Sequence, residues 1–253
     1  MRLLIIFLSF LLFSCSNQEL EVPVNKPIGG VAFCFDNQFI DGWSQYAFLF
    51  NRYNFKATFC VSRINTFDSS RQSKLISLYN DGFEIACHSL THVSVSDYNG
   101  RPYEYIKNEV DSSLAYFDEF GIPIFSFAYP FGISNPIVDS LLLERFQLVR
   151  KASYNHLDTI LDVYNSIFAS KENYRLVDAT GIDVNFVITP ESFRNGLERA
   201  LANNEILIVS AHKFSTDGSN YTINPEYLDS LLVICEELGA RSFRLQDIAT
   251  HFN

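Results

Sequence analysis

The sequence predicts an α/β protein whose parallel strands are covered by helices and close into a barrel. Short apolar runs alternate with longer amphipathic segments from residue 30 onward, a pattern typical of parallel sheets. Roughly seven such units follow one another, which favours a closed barrel. An open doubly wound sheet is the alternative, although no glycine-rich phosphate-binding turn follows the first apolar run.

The predicted strands are short apolar runs bounded by turn-forming or polar residues. They span residues 31–35, 57–61, 83–87, 124–128, 146–150, 206–211 and 242–245, and a weaker pattern at 175–178 adds one more. The rest of 151–190 shows no clear pattern.

The predicted helices place apolar residues at helical spacing, as Trp43, Ala47 and Phe50 do. Asn80-Asp81-Gly82 ends the second helix, and Gly121 ends the third. The helices span residues 42–53, 72–79, 103–120, 135–144, 190–203 and 225–238, with a short last one from 246.

The composition is that of a globular protein with a substantial core. The chain of 253 residues is 47% hydrophobic and 19% charged, and no change of composition marks a second domain. Its formal net charge of -10 argues against a nucleic-acid partner, which would require a basic patch. We therefore expect one domain over residues 30–253, acting as a monomer.

Residues 1–14 indicate a signal peptide. Arg2 precedes an apolar run over residues 3–13, too short for a bilayer span of about 20 residues. Leu12-Phe13-Ser14-Cys15 resembles a bacterial lipobox, which implies cleavage before Cys15 and lipidation of its thiol. Residues 15–29 then form a flexible tether. An ordinary secretory signal is the alternative. We expect a bacterial cell-envelope lipoprotein, periplasmic or anchored in the outer membrane, with its lipid in the membrane.

The other four cysteines lie in apolar stretches without CxxC spacing, so we expect buried free thiols rather than a thiolate metal site. They are Cys34, Cys60, Cys87 and Cys235.

Polar residues cluster at the ends of the predicted strands. Asp36-Asn37 follows the first strand, His88 the third, Tyr129-Pro130-Phe131-Gly132 the fourth, and His212 the strand over 206–211. In a parallel α/β barrel the carboxyl ends of all strands open on one face, and that face carries the active site. Residues far apart in sequence are therefore expected to meet there.

Two of the five histidines lie four positions apart in His88-Ser89-Leu90-Thr91-His92. Imidazole is the commonest side-chain ligand of transition metals, so this spacing indicates a metal site. Other roles remain open: the pair can bond a loop, Asp36 can cap a helix, and His212 can be a hydrogen-bonded core residue. His156 and His251 match no motif and are expected to be surface or structural residues.

These residues together resemble the polysaccharide deacetylases, the NodB-homology group also known as carbohydrate esterase family 4. The resemblance covers about residues 30–250 and implies a single-domain (β/α)7-type distorted barrel. The matching segments, in chain order, are Phe35-Asp36-Asn37, Lys56-Ala57-Thr58-Phe59-Cys60-Val61, His88-Ser89-Leu90-Thr91-His92, Ala128-Tyr129-Pro130-Phe131-Gly132 and Val209-Ser210-Ala211-His212.

The resemblance implies acid–base roles for two residues. Asp36 matches the catalytic base, which takes a proton from the attacking water. His212 matches the general acid that protonates the leaving amine or alcohol. The backbone at Tyr129 and Pro130 would bind the substrate and stabilise the oxyanion.

Asn37, His88 and His92 occupy the three metal-ligand positions of the family, which implies a divalent cation, Zn²⁺ ahead of Co²⁺ or Mn²⁺. The family has Asp where this chain has Asn37. An amide oxygen can still coordinate a metal, but it lacks the carboxylate's charge, so we expect weaker binding and a more Lewis-acidic cation. Asp41 lies close enough in sequence to be considered as a compensating carboxylate.

Two further family features have no direct match. The arginine that holds the catalytic Asp is missing from the third motif, so either Arg150 or Arg175 replaces it or nothing does. The acidic partner of the last histidine has Asp183 as its candidate.

Three functions follow from these features. The first is metal-dependent removal of acetyl groups from an N-acetylated amino sugar or acetylated polysaccharide at the cell envelope. The second is a carbohydrate-binding pseudoenzyme impaired through Asn37, and the third is a structural lipoprotein. Retention of Asp36 and His212 favours the enzyme. Trp43 and surface tyrosines are candidates for stacking on sugar rings, although core packing is the more usual role of an aromatic side chain.

Overall fold

Seven parallel strands close into a barrel, as the sequence predicts. The computed structural model describes residues 28–153 and 161–253. The strands, in chain order, are β1 (Gly30–Asn37), β2 (Thr58–Val61), β3 (Glu84–Cys87), β4 (Ser126–Ala128), β5 (Leu148–Ala152), β6 (Phe168–Ala169), β7 (Leu176–Gly181), β8 (Ile206–Ala211), β9 (Lys213–Phe214), β10 (Thr222–Ile223) and β11 (Arg241–Phe243). The ring runs β1-β2-β3-β4-β5-β7-β8, and β8 returns to β1 in parallel register from Gly30–Ile206 to Phe35–Ala211.

The helices surround this barrel. They are α1 (Ile40–Arg52), α2 (Ser69–Asn80), α3 (Pro102–Tyr105), α4 (Ser112–Glu119), α5 (Pro136–Leu143), α6 (Pro190–Asn203), α7 (Pro225–Glu237) and α8 (Leu245–Phe252). Four of them, α3 and α5 to α7, begin with proline, whose fixed φ and missing N–H suit the first helical turn. A π-helical segment, Ile106–Asp111, joins α3 to α4 and interrupts the single helix predicted over 103–120.

Three strands of two residues and the final strand, which has three, differ from the expected pattern. β6 pairs with β8 in antiparallel orientation, and β9 and β10 form a separate pair. Strands of two residues show no periodicity in sequence, so they could not be predicted. β11 pairs only with the first three residues of β1, at the amino end of the barrel, and so is not a member of the ring.

The strands alternate between two apolar regions, because successive side chains of a strand point to opposite sides. On β1, Phe33 and Phe35 belong to the large cluster shared with the helices, whereas Ala32 and Cys34 belong to a second cluster of smaller residues. That second cluster lies inside the barrel. Asp36 comes two residues after Cys34, so the same alternation directs its side chain into the barrel.

The next observations concern the four remaining cysteines and the search for membrane-spanning helices. Cys34, Cys60, Cys87 and Cys235 are buried free thiols, as expected. Within residues 28–153 and 161–253, no helix is long and apolar enough to cross a membrane. The predicted signal peptide (1–14) and Cys15, with nearly all of the predicted tether, lie outside the described residues.

A buried carboxyl group closes the amino end of the barrel. Glu84, the first residue of β3, accepts hydrogen bonds at Oε2 from the Thr58 hydroxyl and the Gln246 backbone N–H, both at 2.9 Å. Thr58 in turn accepts from the Leu245 N–H at 2.9 Å, so the start of α8 is bonded to β2 and β3. Burial raises the pKa of Glu84 to about 7, and these hydrogen bonds counteract only part of that effect.

Stability should therefore fall as pH rises from about 4.5 to 7. The unfolded chain loses the Glu84 proton near its ordinary pKa of 4.5, whereas the folded chain keeps it until about 7. The predicted loss in free energy of unfolding over this interval is roughly 2–3 kcal/mol. Glu84→Gln should flatten this part of the profile in denaturant titrations at several pH values. The exposed Glu198→Gln is the matched control, and an identical slope in wild type and Glu84→Gln would contradict the assignment.

Candidate active site

A buried ion pair lies at the centre of the site. Asp36 lies near the carboxyl end of β1, on the side that faces the inside of the barrel. Arg150 lies on the same inner face of β5 as Leu148. The Arg150 Nη2 is 2.5 and 2.6 Å from the two Asp36 carboxylate oxygens, and Arg150 is fully buried. Of the two arginines considered from the sequence, Arg150 therefore takes the position beside Asp36. Arg175 instead donates to carbonyls of residues 143, 146 and 147.

The charge of Arg150 keeps Asp36 ionised. Burial alone would raise the pKa of Asp36, but the positive charge of Arg150, helped by His88 and His212, outweighs burial and lowers that pKa to about 2. The same carboxylate raises the pKa of Arg150 despite its burial. The pair is therefore fully charged at neutral pH.

A second pair orients His212, which follows β8. Its Nδ1 lies 2.6 Å from the Asp183 carboxylate, which also accepts the His212 backbone N–H at 3.0 Å. The predicted acidic partner is thus Asp183, located just beyond β7. Burial would lower the pKa of His212, but the hydrogen bond to Asp183 and the charge of Asp36 outweigh it, so the pKa is raised.

Trp43 is hydrogen-bonded to the backbone of the same histidine. Its indole N–H donates to the His212 carbonyl at 2.8 Å, and its ring is fully buried against Phe59. The structure therefore excludes Trp43 from stacking on a sugar and gives it a structural role.

His88 and His92 are neutral imidazoles whose rings lie 5.0 Å apart. The His88 Nδ1 donates to the Ala128 carbonyl at 2.8 Å, which leaves Nε2 with its lone pair. Burial lowers the pKa of His88 to about 3, against the opposing charge of Asp36, and burial also lowers that of His92. Neutral rings of this kind are able to bind a metal at pH 7.

The loop between these histidines is held by Glu109, in the π-helical segment. Its carboxylate accepts from the Thr91 N–H at 2.9 Å and the Thr91 hydroxyl at 2.8 Å, and its backbone carbonyl accepts from the Leu90 N–H. π-Helical turns are frequent at functional sites because they redirect one side chain. No sequence pattern predicted this residue.

Asn37 carries an unpaired buried atom. Its side-chain Oδ1 is inaccessible and accepts no hydrogen bond from any described residue. Such atoms are rare, and an absent ligand is one ordinary explanation. An oxygen donor beside two neutral imidazoles fits a divalent cation, so the residues present are compatible with the predicted metal site. Asp41 does not contribute, since it pairs with Lys74 and Arg71 at the surface.

One structural observation counts against the predicted metal site. In the described ranges, no group of three or more His, Cys, Asp and Glu side chains is arranged to hold a metal ion. The predicted set has only two members of these residue types, because its third is an amide. The predicted metal site therefore depends on Asn37 as its third ligand.

The predicted oxyanion donors need correction. The Tyr129 N–H is already bonded to the Arg150 carbonyl at 2.9 Å, and Pro130 has no N–H to offer. The Tyr129 side chain is buried, and its hydroxyl donates to Asp139. The residue of this motif that lines the pocket is Phe131, so its backbone is the better candidate.

One open pocket of about 350 Å³ brings the polar residues together. Its lining consists of Asp36, Asn37, Phe39, His88, His92, Phe131, His212 and Tyr221. The Phe131 ring packs edge-on against His92, and the Tyr221 ring packs likewise against His212. Phe39 and Tyr221 had no signal in the sequence. All five polar residues predicted for catalysis and metal binding therefore meet at this pocket.

Left-handed backbone is concentrated at this pocket. Four of its eight lining residues have φ between 58° and 88°, namely Asn37, His92, Phe131 and Tyr221. Such values are uncommon for residues other than glycine and cluster at sites where function selects the conformation. The pattern independently marks this pocket as functional.

One described histidine lies outside the site. His251 packs between Phe243 and Phe252 at the opposite end of the barrel, in agreement with a structural role. His156 lies outside the described residues.

The fold and the pocket define an α/β-barrel protein with acid–base groups at the carboxyl ends of its strands. Residues 24–145 match the family model described as polysaccharide deacetylase. This match assigns the segment 24–145, just under half of the chain, to the polysaccharide deacetylase family. The matched segment holds Asp36, Asn37, His88 and His92, whereas Arg150, Asp183 and His212 lie beyond it. A search of curated protein sequences finds no significant match.

Solved structures with this fold are carbohydrate esterases and deacetylases of low sequence identity. The CE4 domain of a xylanase from the hindgut metagenome of Trinervitermes trinervoides is 20% identical, with a TM-score of 0.57 over 87% of this chain and 89% of that one. The chitin deacetylase of Colletotrichum lindemuthianum is 15% identical, with a TM-score of 0.57 over 86% of each chain. The acetyl xylan esterase of Clostridium thermocellum, solved with a cobalt ion, is 16% identical, with a TM-score of 0.54 over 87% and 90%. These likenesses establish the shared fold.

Restoring a carboxylate at position 37 should strengthen metal binding. We expect Asn37→Asp to tighten Zn²⁺ affinity by roughly tenfold or more, because a charged ligand adds a Coulomb attraction that an amide lacks. Isothermal titration calorimetry measures this directly. Asn54→Asp is the matched control, since Asn54 is an exposed asparagine that also has positive φ. Equal or weaker binding by Asn37→Asp would argue against Asn37 as a ligand.

Proposed function

We propose that this protein is a metal-dependent hydrolase that removes acetyl groups from an N-acetylated amino sugar or an acetylated polysaccharide. The observation that carries the proposal is the pairing of Asp36 with Arg150 and of His212 with Asp183, with Asp36 and His212 both lining one pocket. One pair supplies a permanently ionised carboxylate and the other a histidine with raised pKa. A general base must be ionised to accept a proton, and a raised pKa favours the protonated form that a general acid needs.

The pairs divide the proton transfers between them. Asp36 accepts the proton of the attacking water, and Arg150 holds the carboxylate in place while this happens. His212 carries a proton on the nitrogen that faces the pocket and gives it to the departing amine or alcohol. Asp183 holds the other nitrogen and stabilises the charged ring.

His88, His92 and Asn37 would hold the divalent cation, Zn²⁺ ahead of Co²⁺ or Mn²⁺. When bound, that cation polarises the acetyl carbonyl as a Lewis acid. The Ala128 carbonyl fixes the tautomer of His88, and Glu109 holds the loop that carries His92. Phe131 lines the pocket, and its backbone N–H is the candidate donor to the oxyanion.

A carbohydrate-binding pseudoenzyme is the alternative function. It is favoured by Asn37 and by the lack of a three-member His, Cys, Asp and Glu group in the part of the chain that is described. Against it stands the complete acid–base arrangement, which a binding protein does not need.

Acetate release from acetylated glycans tests the enzymatic proposal. Protein loaded with Zn²⁺, Co²⁺ or Mn²⁺ should release acetate from at least one member of a broad panel of acetylated glycans. Asp36→Asn should lower kcat by about 100-fold or more, as expected for loss of a general base. The exposed Asp118→Asn should retain wild-type activity. Glycan binding without acetate release would instead support the pseudoenzyme.

We also propose that the protein is a bacterial cell-envelope lipoprotein anchored through Cys15. The lipobox-like Leu12-Phe13-Ser14-Cys15 supports this location. Mass spectrometry of protein purified from membranes should show a chain that begins at Cys15 and carries the mass of its lipid. A Cys15→Ser variant should be released from the membrane fraction. An unmodified Cys15 thiol in the native protein would exclude the lipid anchor.

A further inference from the structure

Ser62 lies between the two strand ends that carry Asn37 and His88. The order β1-β2-β3 in the barrel places β2 between these two metal-ligand candidates. Ser62, the residue after β2, donates its backbone N–H to the Asn37 carbonyl at 2.8 Å, and the His88 N–H donates to the Val61 carbonyl at 3.0 Å. Neighbouring strands lie about 4.8 Å apart, so the Ser62 backbone is one strand spacing from each candidate.

The Ser62 side chain faces the inside of the barrel. On β2, Cys60 belongs to the cluster inside the barrel and Val61 to the cluster shared with the helices, so alternation directs Ser62 inward. Continued by one residue, the parallel register of β2 and β3 puts Ser62 opposite His88. Ser62 is 1% exposed, so its hydroxyl lies within the wall of the site.

The Ser62 hydroxyl and the Asn37 Oδ1 are both buried and both lack a hydrogen-bond partner among the described residues. By alternation Asn37 would point toward the helices, as Phe35 does, but its φ is 88° and it lines the pocket instead. Buried polar atoms are rarely left unpaired, and here two of them belong to residues joined by a backbone hydrogen bond. This coincidence indicates an arrangement that a ligand completes.

An amide at position 37 needs an orientation that a carboxylate does not. A carboxylate offers two equivalent oxygens, whereas an amide has one oxygen that can bind a cation and an NH₂ group that cannot. A hydrogen-bond acceptor beside the NH₂ group would turn the oxygen of Asn37 toward the cation. Within the described chain, neither end of this amide is hydrogen-bonded. The Arg150 Nε is also buried and unpaired, but it is a donor, whereas the Ser62 hydroxyl can accept.

We propose that Ser62 is a positioning residue of the metal site. Its hydroxyl accepts the amide N–H of Asn37 when a cation is bound, and so keeps the amide oxygen directed at the cation beside His88 and His92. Supporting contacts of this kind fix the orientation of the residues that bind a metal. The inference rests on the proposed function, whose cation it concerns, and it explains how an amide can serve as the third ligand.

A double-mutant cycle on Zn²⁺ affinity tests this role. Isothermal titration calorimetry compares wild type, Ser62→Ala, Asn37→Asp and the variant that carries both substitutions. We expect Ser62→Ala to weaken Zn²⁺ binding by about tenfold or more when residue 37 is Asn. In the Asn37→Asp background the same substitution should change the affinity by less than about twofold, because either carboxylate oxygen can face the cation.

Unfolding by denaturant, measured without added metal, separates positioning from a loss of structure. Ser62→Ala should leave the unfolding midpoint unchanged or raise it, because it removes a buried hydroxyl that has no partner. Ser192→Ala is the matched control, since Ser192 is also buried with an unpaired hydroxyl but lies on α6 and does not line the pocket. This control should bind Zn²⁺ as wild type does.

Three results would overturn the inference. They are an unchanged Zn²⁺ affinity in Ser62→Ala, an equal loss of affinity with Asn and with Asp at position 37, and a loss that accompanies a lower unfolding midpoint. An equal loss in both backgrounds would show that Ser62 acts independently of the amide.

Acetate release, measured separately, distinguishes this inference from the proposed function. If no acetylated glycan is hydrolysed but the cycle shows the expected dependence on residue 37, the positioning role of Ser62 stands and the enzymatic proposal fails. If acetate is released while Ser62→Ala binds Zn²⁺ as wild type does, the enzymatic proposal stands and the positioning role fails.

Discussion

The buried ion pair between Asp36 and Arg150 is the constraint on which the site depends. A lone carboxylate inside the barrel would take up a proton, and a lone guanidinium would be a costly buried charge. Removing one partner of such a pair typically costs about 3–5 kcal/mol, because the other is left unpaired. The carboxylate of the pair also acts on both neighbouring histidines. It favours the charged form of each, but burial outweighs it at His88 and lowers that pKa, whereas at His212 the hydrogen bond to Asp183 and the charge of Asp36 together outweigh burial and raise the pKa.

Much of this architecture could be predicted because strands and helices carry periodic patterns. The alternation of β1 directs Asp36 inward, and the parallel barrel brings His88, His92 and His212 to the same face. The arginine was harder to assign. Arg150 and Arg175 both lie near strand ends, and the observed register of β5 shows that Arg150 shares the inner face with Leu148. The same inner-face alternation, applied to the predicted strand over 146–150, would have favoured Arg150 over Arg175.

The parts that sequence reasoning missed lie in loops and irregular segments, whose shape depends on tertiary contacts. Tyr221 reaches the pocket from the segment between β9 and β10, two strands too short to show a pattern. Glu109 reaches the histidine loop only because a π-helical turn shifts the register of its helix. The oxyanion assignment failed for a related reason. A motif locates a turn, but only the backbone hydrogen bonds show which N–H of that turn is already used.

The left-handed backbone around the pocket affects more than ligand geometry. Each such residue costs roughly 1 kcal/mol or more relative to an ordinary conformation, and contacts elsewhere in the fold must offset that cost. The end of β1 at Asn37 and the loops that carry His92 and Phe131 are therefore less stable than the strands that support them. Regions of low local stability open before the whole domain unfolds. On warming, the barrel of this protein should persist after its pocket is lost, so the spatial arrangement of Asp36, His88, His92 and His212 should break down at a lower temperature than the fold.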